Sequence, residues 1–110
     1  MKLIVGKLLV LASLSFVSLQ ALATEVLWID VRSTAEYQEG HLSEAINISH
    51  TEISERIGGI TTKDAQIKLY CGSGRRAGIA QEALEGMGYT LVSNEGGYSE
   101  LLKNKELPEK

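Results

Sequence analysis

The chain is poor in cysteine, proline, histidine and aromatic residues: one Cys, one Pro, two His and 5% Phe, Trp and Tyr among 110 residues. One cysteine excludes an internal disulfide, so the Cys71 thiol is free, bridged to another chain, or reactive. With His41 and His50 in unrelated surroundings, no ligand spacing for zinc remains. Positive charge is also in short supply, with 11 Lys and Arg against 14 Asp and Glu. That excludes the broad basic face a nucleic-acid binder needs. No Asn-Gly hairpin signal occurs, and there are no repeats or low-complexity tracts. No Walker-type lysine follows the glycines, and no defensible Ser-His-Asp order exists.

What is present begins with MKLIVGKLLVLASLSFVSLQALA. Lys2 and Lys7 precede an apolar run from Leu8 to about Leu19, and Ala21-Leu22-Ala23 fits signal-peptidase cleavage before Thr24. The uncharged stretch after Lys7 is about 16 residues, short of the roughly 20 that span a bilayer. Residues 1–23 are therefore expected to be a cleaved signal peptide and residues 24–110 a single domain. Losing the two lysines leaves nine basic residues against 14 acidic ones, a net charge of −5. No stable membrane association is expected after cleavage.

Along residues 24–110 the chemistry of strands and helices alternates. TEVLWIDV, from Thr24 to Val31, is a β-prone apolar run of the kind buried on both faces of a parallel sheet. Ser33-Thr34-Ala35-Glu36 matches a capping box, so a short helix should follow and stop at Gly40. Ala45 to Ile48 is a second strand. Ser49-His50-Thr51-Glu52 reads as another capping box, with Ile53 and Ile57 as the apolar stripe of its helix and Gly58-Gly59 as its end. Gln66 to Tyr70 is a third strand that runs into Cys71. From Arg75 to Met87, Ile79, Ala80, Ala83, Leu84 and Met87 have helical spacing, and Gly88 should stop that helix. Tyr89 to Ser93 is a fourth strand, Gly96-Gly97 a break, and Tyr98, Leu101 and Leu102 mark a last helix. The tail after Leu107-Pro108 is polar. Trp28 reads as core and His50 as surface. The pattern predicts an α/β fold, a small parallel sheet of four to five strands with helices on both faces.

The chemistry concentrates in YCGSGRRAG, residues 70–78. Sites in open parallel sheets form beyond the carboxyl ends of strands. Cys71 falls there, ahead of the longest helix. Gly72 and Gly74 allow backbone N–H groups to turn inward as an anion cradle. The helix dipole and the guanidinium groups of Arg75 and Arg76 favour a thiolate. A packing cysteine needs no Gly-x-Gly-Arg-Arg turn after it, so Cys71 reads as a nucleophile. Cysteine-dependent phosphatases place an arginine six positions after the cysteine. Here that position is Ala77, and the arginines stand at plus four and plus five. The ring is one residue shorter, which suits attack on sulfur better than on phosphate.

At this point the sequence resembles the rhodanese-type sulfurtransferases. YCGSGRRAG is similar to the family's six-residue active loop. In IDVRSTAEYQEGHLSEAINI, residues 29–48, the residues Asp30, Val31, Arg32, Glu36, Tyr37, Gly40, His41, Leu42, Ala45, Asn47 and Ile48 fall at the family's first signature. MGYTLVSNEGG, residues 87–97, resembles its C-terminal element. The resemblance covers nearly all of residues 24–110 and is nearest the exported single-domain type. It implies a rhodanese-like fold, a periplasmic thiosulfate sulfurtransferase, and a persulfide on Cys71 passed to cyanide or a thiol. Small molecules are then the expected partners, and the expected state is a monomer.

Gly72, Ser73, Gly74, Arg75, Arg76 and Ala77 are the expected substrate-binding residues, with Arg75 taken as facing the substrate. Asp30, Arg32 and Glu36 are expected to form a charge network supporting the site, and His41 to anchor a turn. No metal or organic cofactor is required, because the thiolate is the reagent. Many family members carry a basic residue directly after the cysteine, where this chain has Gly72. The short domain also predicts open access to the sulfur. Two alternatives stand beside the enzyme: a non-enzymatic persulfide carrier, and a cysteine phosphatase or arsenate-type enzyme on a similar cradle.

Overall fold

The computed structural model describes residues 25–104. The expected signal peptide and the tail after Leu107-Pro108 lie outside the described residues. Four strands, β1 (Val26–Asp30), β2 (Ile46–Asn47), β3 (Gln66–Cys71) and β4 (Leu91–Gly97), form one parallel sheet in the order β2-β1-β3-β4. Between them lie α1 (Thr34–Glu39), α2 (Ile53–Arg56) with a 3-10 turn over Ile57–Gly59, and α3 (Arg75–Gly86); α4 (Tyr98–Asn104) follows β4.

The period of two along each strand divides the core between the two faces. Ile29, Ile67, Leu69 and Cys71 point to one face, where they meet Ile53 and Ile57 and then Ala77, Ala80 and Leu84 of α3. Trp28 and Tyr70 point to the other, packed with Leu42, Ala45, Leu101 and Leu102. Helices therefore cover both faces, as the alternating pattern predicts.

The capping box at Ser33 forms. Its Oγ accepts the Glu36 N–H at 3.2 Å, and Glu36 Oε1 accepts the Ser33 N–H at 3.1 Å. The second box does not. Ser49 Oγ accepts from Thr51 N at 3.3 Å, and α2 starts only at Ile53, without a side-chain cap. A serine that bonds two residues onward makes a local turn instead of a helix cap.

The expected apolar stripe of α3 is also corrected. Ile79 and Met87 are 45% and 36% exposed, while Ala77, Ala80 and Leu84 are buried. The buried spacing of three and four is helical, but Ile79 falls about 100° around the helix from Ala80. β4 starts later than expected and runs through Gly96-Gly97 rather than breaking there.

From β1 the chain steps to β2 on one side, then returns across β1 to β3 on the other. The winding reverses between β1 and β3, which is where a parallel sheet opens a crevice at its carboxyl ends. Asp30 ends β1 and Cys71 ends β3 at this point.

Candidate active site

Cys71 is fully buried. Its Sγ accepts the N–H of Gly74 at 3.0 Å and of Ala77 at 3.4 Å. Gly74 caps α3 in the left-handed region, at φ 97°, which turns its N–H toward the sulfur without a Cβ penalty. Burial pushes the thiol pKa up. The backbone N–H groups of Ala77, Ser73, Gly74 and Arg76 outweigh it and hold the thiol below its ordinary value. Of the two glycines expected to build the cradle, Gly74 donates to the sulfur with a left-handed φ, while Gly72 has no positive φ and is not among these donors. Backbone N–H groups are the main source of activation. Gly72, Ser73 and Arg75 are exposed, yet the cysteine beneath them presents no surface. The expected open access holds for the loop and not for the sulfur, which is fully buried.

The two arginines differ. Arg76 is half-buried, with Nη1 2.8 Å from Glu36 Oε1 and Nη2 3.0 Å from Oε2. Its Nη2 stands 3.1 Å from where a Cβ on residue 72 would lie. Gly72 thereby leaves room for a guanidinium that reaches back over the loop. The negative charge of Cys71 is among the influences that raise the Arg76 pKa, after Glu36. Arg75 is exposed and makes no ion pair among the described residues. The geometry brings Arg76 to the loop rather than Arg75.

The expected network of Asp30, Arg32 and Glu36 divides in two. Arg32 and Asp30 form a buried pair at 2.7 Å, and the Arg32 Nη2 also donates to the Gly40 carbonyl at 2.7 Å. The Arg32 guanidinium lies 4.5 Å from the Tyr98 ring centroid and 5.8 Å from that of Tyr70. Glu36 turns instead to Arg76. His41 stacks on Tyr37 at 3.5 Å, and its Nδ1 meets the Tyr37 carbonyl at 2.7 Å, the geometry of a turn anchor.

Two residues of the site carry no chemical signature in sequence. Asn94 Nδ2 donates to the Gly74 carbonyl at 2.9 Å. Gly97 lies so close to Gly72 that an added Cβ would collide with the Gly72 carbonyl oxygen. Both lie in MGYTLVSNEGG, residues 87–97, whose resemblance to the family's C-terminal element is the signal available in sequence. A separate concavity lined by Val26, Ile60, Asp64 and Leu91 lies at the amino ends of the strands, away from Cys71.

Comparison with known proteins gives the family and the fold. The rhodanese-like domain family matches residues 17–104. The chain is similar to the thiosulfate sulfurtransferase PspE of Escherichia coli K12, with 44% identity over 79 residues, 71% of this chain and 76% of that protein. A solved structure described as a rhodanese with anions from E. coli superposes with a TM-score of 0.68 at 42% identity, covering 78% of this chain and 98% of the other. A human single-domain sulfurtransferase, TSTD1, shares the fold with a TM-score of 0.66 at 24% identity, covering 81% and 90%.

Proposed function

The chain belongs to the rhodanese-like domain family, and from that premise we propose that it is a thiosulfate sulfurtransferase working through a persulfide on Cys71. The observation that carries this is the sulfur itself, at the carboxyl end of β3 and held by the Gly74 and Ala77 N–H groups. Such a cradle favours the anion, which is the nucleophilic form.

The Cys71 thiolate attacks the outer sulfur of thiosulfate. A new S–S bond forms, the old one breaks, and its electron pair leaves with sulfite. The persulfide anion then sits among the N–H groups of residues 72–77. Cyanide or a thiolate attacks the terminal sulfur and returns Cys71 as thiolate. Charge balances in each step, and no redox partner is consumed.

Gly72, Ser73, Gly74 and Ala77 contribute backbone to the anion site. Arg76, oriented by Glu36, supplies the guanidinium for the thiosulfate dianion. Arg75 adds positive charge at the rim. Asp30, Arg32 and His41 hold the surrounding turns. The leader with its Ala-x-Ala end supports export, so the working form is residues 24–110, a monomer in the periplasm.

Intact mass after thiosulfate treatment tests the reading. A gain of one sulfur, about 32 Da, is expected, reversed by cyanide and absent in Cys71→Ser. Steady thiocyanate formation separates an enzyme from a carrier that loads once. Full activity in Cys71→Ser would overturn the proposal.

A further inference from the structure

The end of β4 grips the sulfur-binding loop at two points. Leu69 pairs with Asn94 and Cys71 with Gly97, so Tyr70 alone faces Glu95 and Gly96. Two residues opposite one make a bulge, which bends the strand and re-aims its side chains. Gly96 takes a left-handed φ of 96° within it. At one grip, Asn94 spans the gap: Nδ2 donates to the Gly74 carbonyl at 2.9 Å, and Oδ1 accepts the Gly96 N–H at 2.9 Å. At the other, Gly97 packs directly on the Gly72 carbonyl.

Gly74 is the hinge of this arrangement. Its N–H points at Cys71 Sγ, and its carbonyl also accepts from Gly78 N at 3.0 Å in the first turn of α3. A glycine has the widest choice of φ and ψ, so nothing in Gly74 itself fixes where its N–H aims. The Gly74 carbonyl belongs to the 74–75 peptide plane and its N–H to the 73–74 plane, so bonds that anchor the carbonyl narrow the φ and ψ joining the two planes and with them the aim of the N–H. Asn94 also packs where Cβ atoms on Gly74 and Gly78 would be, at 3.9 and 3.5 Å. Only a side chain with a donor and an acceptor at that reach satisfies both partners.

We infer that Asn94 is a positioning residue for the sulfur chemistry: its carboxamide ties the β4 bulge to Gly74 and so aims the Gly74 N–H at the Cys71 sulfur. The inference rests on Cys71 being the reactive thiolate, but its deciding measurement needs no thiosulfate. The apparent thiol pKa is read from the pH dependence of iodoacetamide alkylation, in the whole mature chain. Asn94→Ala removes the donor without adding charge. It should raise the thiol pKa by about half a unit or more and slow sulfur transfer about fivefold to tenfold, with the thiosulfate KM changing less. Asn94→Asp keeps the shape and the bond to Gly96 but cannot donate to Gly74, and should raise the pKa further.

A purely structural role would lower the melting temperature and leave the thiol pKa where it was. Folded Asn94→Ala with unchanged thiol pKa overturns the proposal. Should the variants not fold, NMR of the unmodified protein decides. The Asn94 carboxamide signals should shift when Cys71 is converted to the persulfide by an alkyl persulfide donor; signals that stay put overturn it. Failure of thiosulfate turnover with a normal Asn94 effect on alkylation would instead count against the enzyme assignment alone.

Discussion

Glu36 and Arg76, 40 residues apart, meet in a two-pronged ion pair that joins α1 to the start of α3. The same Glu36 oxygen that receives Arg76 Nη1 also closes the capping box of α1 by accepting the Ser33 N–H. One carboxylate therefore ends a helix correctly and orients the cation over Gly72. Parallel two-point contact fixes the guanidinium plane in a way that a single contact does not.

Arg76→Ala should lower kcat/KM for thiosulfate by about ten- to a hundredfold, the loss of one charge-assisted contact. Arg75→Ala should cost about threefold, through field strength alone. Glu36→Gln should fall between them. Steady-state kinetics of the three variants make the comparison, and a larger loss at Arg75 would return the substrate contact to that residue.

The Glu36 pKa is held down at about 2, chiefly by the Arg76 hydrogen bond and then by the Ser33 N–H. A depressed carboxylate stabilises the fold above its unfolded pKa and loses that contribution as pH falls toward its folded value. The side chains of Arg76 and Glu36 are 30% and 36% exposed, so solvent screening limits the pair to about 1 kcal/mol or less. The Arg76–Glu36 pair should consequently survive to about pH 3, and the acid limb of the rate profile should track Cys71, not Glu36, in both wild type and Glu36→Gln.

The depressed thiol makes a second linkage. Its stabilising effect is complete above the unfolded thiol pKa and is lost as pH falls through the folded one. The stability difference between the wild type and Cys71→Ser should therefore grow in favour of the wild type as pH rises from below the folded thiol pKa toward the unfolded one, at about 8.5 to 9. Urea denaturation at several pH values measures it. A flat difference would mean that the thiol is not activated.

Gly97→Ala should damage both fold and chemistry, because its new methyl meets the Gly72 carbonyl and must push the loop or β4 aside. Overpacking of this kind costs about 1–3 kcal/mol. Thermal melting and sulfur transfer should fall together, whereas Gly59→Ala, with open space around its Cβ position, should spare activity.

Asp30→Ala leaves Arg32 buried without its carboxylate, and should cost about 3–5 kcal/mol. Arg32 would keep its contacts with Gly40 and the Tyr98 ring. Denaturation should show the loss. Residual folded protein should retain the thiol pKa of the wild type, since neither residue of this pair donates to the sulfur.

Much of this was legible in the chain. Alternation of β-prone runs with capped helices led to a parallel sheet, and Ser33 with Glu36 marked a helix start that forms as expected. The same pattern at Ser49 misled, because a Ser-x-Thr segment can close its own turn and local chemistry does not choose between the two. Ile79 and Met87 misled because spacing identifies a helix more readily than it fixes which stripe faces the sheet. The partition of Asp30, Arg32 and Glu36 was hidden for a related reason: three charges close in sequence can leave a strand end in different directions.

The sequence by itself determined the lone thiol and the turn that follows it. One cysteine, glycines at 72 and 74 and an ensuing helix are local features, and local backbone geometry follows from them. Tertiary structure decided which arginine pairs with Glu36 beside the loop and what holds Gly74 in place. Those depend on Glu36 arriving from α1 and Asn94 and Gly97 from β4, contacts between segments 20 or more residues apart. Such contacts exist only once the sheet has aligned the ends of its strands.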